Sequence, residues 1–94
     1  MPQSAVTRNE SEQRFEAPTD HGLAVLDYRM DGEDTVAFTH TLVPEAARHH
    51  GIGSALAKAA LDWARESGLN VVPRCPFVKD WIEHNPAYQE LVAS

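Results

Sequence analysis

The hydrophobic period changes once along this chain, at Pro44, and that change decides which folds remain open to it. Before Pro44 the apolar residues alternate. Ala24, Leu26, Tyr28 and Met30 share one side of a run from Gly22 to Met30, and Val36, Phe38, His40 and Leu42 share one side of a run from Thr35 to Val43. A period of two is that of a strand, with successive side chains on opposite faces. Asp31-Gly32 between the runs is a hairpin-turn pair. Upstream, Ala5 to Arg8 and Gln13 to Ala17 read as two shorter strands around a polar turn at Asn9 to Glu12, with Pro18 ending that arm. The first half is therefore expected to be an antiparallel meander of about four strands.

After Pro44 the period is helical: Ile52, Ala55, Leu56, Ala59, Ala60 and Trp63 fall on one side, with Ser54, Lys58, Asp62 and Arg65 on the other. Gly68 closes this helix, and Leu69 to Arg74 follows as a compact apolar strand. Strand, helix, strand is a right-handed crossover, which sets Leu69–Arg74 parallel to Thr35–Val43. Pro76 suits the first position of a second helix with Phe77, Val78, Trp81 and Ile82 as its buried stripe, so Cys75 becomes the N-cap. The segment from Asn85 to Val92 is either a final helical turn or an ordered tail. The expected architecture is a single α/β domain over residues 1–94, with a mixed, mostly antiparallel sheet.

At 94 residues the chain supports one core and one site. Its net charge of −6 excludes broad nucleic-acid binding, so any phosphate site must be built locally from backbone donors and a few cations. Cys75 is the single cysteine, which excludes an internal disulfide and fits a reducing cytoplasm. The N-terminus has no apolar signal core, and no window approaches the roughly 18 apolar residues of a membrane span. A soluble protein without membrane or nucleic-acid partners is expected.

Arg48-His49-His50-Gly51-Ile52-Gly53 lies where strand gives way to helix. No Ser, Thr, Asp or Asn stands between Pro44 and Gly51, so the first N–H groups of the helix have no local side-chain oxygen. An anion would satisfy them, helped by the helix dipole and Arg48. Gly51 and Gly53 would clear side chains from its approach. The plain alternative is that the two glycines only let the helix start close to a neighbouring strand. A P-loop is excluded because Ser54-Ala55, not Lys-Ser or Lys-Thr, follows Gly53. The dinucleotide fingerprint fails at Leu56, where a small residue is needed, and after an antiparallel meander.

Arg48-x-x-Gly51-x-Gly53 resembles the acyl-CoA-binding motif of the GNAT superfamily of N-acetyltransferases, Gln/Arg-x-x-Gly-x-Gly/Ala, between the fourth strand and the long helix. More narrowly, four motifs in order are similar to the small single-domain GNAT group with a cysteine after its fifth strand. They are His40-Thr41-x-Val43-Pro44, Gly51-Ile52-Gly53, Val72-Pro73-x-Cys75-Pro76-Phe77-Val78 and His84-Asn85-Pro86-x-Tyr88. The resemblance runs from about Ala5 to Val92. It implies a GNAT-like acyl-CoA N-acyltransferase fold, in a minimal version lacking the last two strands, and acetyl-CoA as co-substrate. Backbone donors from His49, His50, Gly51, Ile52, Gly53 and Ser54 would then hold the CoA diphosphate, Leu42 and Val43 the pantetheine arm, and Arg48 would add charge. Larger GNAT enzymes wall the acceptor site with two further strands, so here the acceptor cleft is expected to be open or completed by another chain.

Cys75 is the first catalytic candidate. A helix start and the neighbouring Arg74 both favour a thiolate, and an acetyl group passed from CoA to Cys75 and then to an amine would split one step into two. A buried corner cysteine is the competing reading. His40, placed by alternation beside Phe38, is the second: as a base it would take the proton of the acceptor ammonium. Tyr88 follows Asn85 at a shorter spacing than the GNAT Asn-x-x-x-Tyr region, where tyrosine protonates the departing thiolate, and core packing is its simpler role. A metal at His40, His49, His50 and His84 is rejected, because adjacent histidines diverge and no carboxylate or thiol completes a ligand set. The acidic residues of the first half, Glu10 to Asp34, are a solvated face or an attraction for a cationic amine. The sequence thus reads as an acetyl-CoA-dependent N-acetyltransferase acting on an unidentified amine. The alternative is a non-catalytic CoA-binding sensor or interaction module.

Overall fold

The computed structural model describes residues 6–48 and 51–92. The elements are β1 (Thr7–Asn9), β2 (Arg14–Thr19), β3 (Gly22–Met30), β4 (Thr35–Leu42), a 3-10 turn (Glu45–Ala47), α1 (Ile52–Glu66), β5 (Asn70–Pro73), α2 (Pro76–Glu83) and a second 3-10 segment (Pro86–Leu91). Ala5, assigned from sequence to the opening strand, lies outside the described residues. The sheet order is β1-β2-β3-β4-β5, antiparallel throughout except for the parallel pair β4·β5. That is the mixed sheet expected from the period change at Pro44.

The element boundaries follow local chemistry. Gly32 takes a left-handed φ of +87° in the β3–β4 turn, and Asp31 N–H donates to the Thr35 carbonyl at 2.8 Å. At the end of α1, Gly68 has φ +70°; its N–H donates to the Arg65 carbonyl at 3.1 Å, and Leu69 N–H donates to the Ala64 carbonyl at 2.8 Å. This paired closure is why the helix stops there and β5 can begin at once. Pro18 does not end β2. It sits within the strand opposite Leu23, at a position that no described residue of β1 pairs.

Both helices cover one face of the sheet. Phe15, Leu26, Tyr28, Val36, Phe38 and Val71 meet Leu56, Ala60, Leu61 and Ala64 of α1 and Val78 and Ile82 of α2 in a single buried cluster. Each fully buried large apolar side chain contributes about 1.5–3 kcal/mol of transfer free energy. The buried stripe of α1 is turned relative to its sequence pattern: Ala57 and Leu61 are sealed, while Trp63 is half-buried at the rim. There it packs edge-on to Phe15, with the Arg8 guanidinium 5.0 Å above its ring. Alanines on this stripe let the helix lie close to the strands.

The alternation of β4 breaks in the middle. Asp27 pairs with His40 and Tyr28 pairs with Phe38, which leaves Thr39 as an extra residue. A bulge of this kind resets which face each later side chain occupies. Val36, Phe38, His40 and Leu42 therefore do not share a face. Val36 and Phe38 are fully buried, His40 is exposed on the helix-free side, and Leu42 is 50% exposed. Thr41, opposite the buried Leu26, takes the helix-facing position that strict alternation would have given to its neighbours.

Candidate functional site

The bulge coincides with the place where the sheet opens. Pairing of β4 with β5 ends at Phe38 opposite Pro73, and the Phe38 carbonyl accepts both Arg74 N–H at 3.0 Å and Cys75 N–H at 2.9 Å. Beyond this point β4 runs on through Thr39–Leu42 without β5 beside it. The chain then turns through Glu45–Ala47 and enters α1, so the start of the helix faces the open end of the strand.

A cleft of about 440 Å³ fills the angle between them, lined by Thr41, Val43, Ala47, Arg48, Gly51, Ile52, Gly53, Ser54 and Phe77. Gly51 is the N-cap of α1, with a left-handed φ of +80° and no side-chain capping hydrogen bond. The N–H groups of Ile52, Gly53 and Ser54 have no intrahelical acceptor, by the geometry of a helix start. A side chain at Gly51 would meet nothing within 4 Å, so this glycine serves its backbone angle and leaves open space. Arg48 Nε donates to the Val43 carbonyl at 3.1 Å, which ties the two sides of the approach together and keeps the guanidinium at the mouth.

Six residues chosen from sequence as coenzyme ligands line this cleft: Val43, Arg48, Gly51, Ile52, Gly53 and Ser54. Leu42 stands outside it, turned to solvent by the bulge. His49 and His50 lie outside the described residues. Sequence reasoning missed Thr41, Ala47 and Phe77. The place of Gly53 is set differently from expectation: a Cβ there would come within 2.8 Å of Phe77 Cζ. Gly53 thus makes room for an aromatic ring that forms one wall, and Phe77, expected in the buried stripe of α2, is 40% exposed above it.

Cys75 is the N-cap of α2, as the sequence indicated. Its side chain is 4% exposed, and Sγ lies 3.1 Å from Thr41 Oγ1, so Thr41 stands between the thiol and the cleft. His40 is on the opposite sheet face, beside Asp27. The His84-Asn85-Pro86-x-Tyr88 motif is remote from the cleft and knits the C-terminus to the helices. Asn85 Nδ2 donates to the Trp81 carbonyl at 2.7 Å, and Tyr88 Oη donates to Asp62 Oδ1 at 2.7 Å. Burial pushes the Asp62 carboxyl up, but hydrogen bonds from Tyr88 and Lys58 outweigh it and hold the group below its ordinary value. The Tyr88 phenol is raised by the same bond.

The arrangement is a strand edge that no described strand pairs, facing an uncapped helix start, with a cation at the mouth and a thiol behind one wall. Against known proteins, the model of a family described as GCN5-related N-acetyl-transferase matches residues 14–91. The chain is 41% identical over 71 residues to Protein NATD1 of Xenopus tropicalis, an alignment covering 76% of this chain and 65% of that protein. The same identity holds with Protein NATD1 of Homo sapiens, over 63% of its length. The chain therefore spans slightly less than two thirds of these relatives. Among solved structures, a GCN5-like protein of Staphylococcus aureus superposes with a TM-score of 0.76 at 26% identity, covering 100% of this chain and 92% of that one. Ard1 from Thermoplasma volcanium, at 17% identity and a TM-score of 0.63 over 80% of this chain and 55% of its own, shares the fold alone.

Proposed function

Since this chain belongs to the GCN5-related N-acetyltransferase family, we propose that it binds acetyl-CoA in the cleft between β4 and α1 and transfers the acetyl group to an amine. One observation carries the reading: the helix start has no side-chain cap and opens on the cleft beside a strand end that no described strand pairs. A diphosphate fits that chemistry, because it would accept from the free N–H groups of Ile52, Gly53 and Ser54 while Arg48 balances its charge. The backbone along Thr41 to Val43 has no β5 beside it and, apart from the Val43 carbonyl that Arg48 holds, is offered to the amides of an extended pantetheine arm. Phe77 gives that arm an apolar wall.

His40 lies on the helix-free side of the sheet, so it would act on an acceptor arriving from that side, taking the ammonium proton before attack. The amine then adds to the thioester carbonyl carbon as the carbon–sulfur bond breaks and the coenzyme sulfur takes up a proton. The burial of Cys75 favours this direct route, with Cys75 positioning Thr41. Its place at a helix N-cap favours a second route in which Sγ first takes the acetyl group from the coenzyme and then gives it to the amine. The free thiol suits a reducing cytoplasm in either case.

Intact-mass measurement after incubation with acetyl-CoA, on the wild type and Cys75→Ser, tests the reading. Turnover of amines that survives Cys75→Ser, with no adduct of acetyl mass, supports direct transfer. An adduct that an amine removes and Cys75→Ser abolishes supports the two-step route. Coenzyme binding without adduct or turnover assigns the chain instead to a sensor or interaction module, and absence of binding by calorimetry defeats the proposal.

A further inference from the structure

We infer that the acceptor amine carries a second, anionic group, a carboxylate or phosphate, held by Arg29 and Arg74 on the helix-free face of the sheet; the inference rests on the acetyltransferase reading above. The chain has eight Lys and Arg residues. Arg8, Arg14, Lys58 and Arg65 are in ion pairs, Arg48 is bonded to the Val43 carbonyl, and Lys79 stands on α2, outside the cavity that Arg29 and Arg74 line. Arg29 and Arg74 form no side-chain hydrogen bond or ion pair with any described residue, and both line one cavity of about 400 Å³ with Met30, Asp31, Ala37 and Thr39.

The sheet register explains the juxtaposition. Arg29 pairs with Ala37, and Ala37 with Val72, so the three share a face, and Arg74, two residues past Val72, lies on it too. Ala37 between the two arginines is only a methyl group, which keeps the floor of the cavity low. Asp31 leaves the cavity with a net positive charge in a chain whose total is −6. Planar guanidinium groups match carboxylate and phosphate oxygens two at a time.

Position links the cavity to the chemistry. Thr39, the bulge residue, lines this cavity, while Thr41 lines the coenzyme cleft and contacts Cys75, so β4 presents one cavity on each face beside the gap it shares with β5. Arg74 adjoins Cys75 at that gap. An amine anchored by its anion at Arg29 and Arg74 would therefore meet the coenzyme through the sheet opening, on the side where His40 lies.

The test is an amide-shift titration of the CoA-saturated protein with 4-aminobutyrate and its uncharged analogue 4-aminobutyramide, and with O-phosphoethanolamine and ethanolamine. Signals of residues 29, 37 to 39 and 74 should move, with at least one anionic amine binding about tenfold or more tighter than its uncharged analogue. The stronger of the two identifies carboxylate or phosphate as the source. Arg29→Gln and Arg74→Gln should each erase the preference, and Asp31→Asn should strengthen it. No movement with either anionic amine, equal binding of charged and uncharged partners, or a preference that survives both glutamine substitutions overturns the inference. CoA itself should still shift residues 51 to 54 in all three variants; if it fails to do so in the wild type, the coenzyme reading fails instead.

Discussion

Thr41 Oγ1 and Cys75 Sγ meet at 3.1 Å across the gap where β4 leaves β5. The contact joins a residue of the cleft wall to a buried thiol. Iodoacetamide should accordingly modify Cys75 slowly in the native protein, and Thr41→Ala should accelerate modification by about tenfold or more. Equal rates in the two proteins would mean that Thr41 does not guard the thiol.

The Gly53–Phe77 packing cancels the usual gain of a helical Gly→Ala substitution. At an exposed helix start, Gly→Ala ordinarily stabilises by up to about 1 kcal/mol. Here the added methyl would meet the far edge of the Phe77 ring, which is half-exposed and can swing aside. Gly53→Ala should therefore leave the melting temperature almost unchanged while weakening CoA binding. Adding Phe77→Ala should remove the extra penalty of the alanine, and calorimetry on the single and double variants measures that coupling.

Tyr88→Phe separates structure from chemistry. Losing the bond to Asp62 should cost at most about 1 kcal/mol of stability. Acetyl transfer should be unaffected, since Tyr88 lies away from the cleft. Asp62 and Glu16 are both held below their ordinary values, Glu16 by hydrogen bonds from Arg14 and Asn9. Their contribution is present at neutral pH and is lost as pH falls through the depressed folded values. Acid unfolding should consequently lose part of its low-pH slope in Tyr88→Phe, which urea denaturation across that range would reveal.

His40→Gln tests the base. If the acceptor arrives from the helix-free side as proposed, loss of the imidazole should reduce the rate by about 10²-fold or more with CoA affinity intact. A variant that keeps the full rate removes His40 from the mechanism.

Much of the architecture was legible from short-range signals. β3 begins at Gly22 and ends at Met30, α1 begins after Gly51 and stops before Gly68, and Cys75-Pro76 opens α2, because glycine angles, proline and hydrophobic period act within a few residues of themselves. The uncapped start of α1 was readable for the same reason, since a missing cap is visible as missing oxygens. The bulge at Thr39 left no such mark. The row Val36, Phe38, His40, Leu42 alternates well on paper, and nothing local to it says that Tyr28 opposite will pair with Phe38 while Asp27 pairs with His40.

The sequence by itself determined the order of elements, the place of the helix start and the lone thiol at the second helix, all products of backbone preference and local patterning. Tertiary structure alone decided the faces. Cross-strand register sent His40 to the helix-free side and Thr41 to the cleft and helped set Arg29 and Arg74 around one cavity, while the packing of α2 against α1 and β4 brought Phe77 over Gly53 and closed Cys75 behind Thr41. Register is a relation between strands distant in sequence, and a shift of one residue exchanges every inward side chain for an outward one.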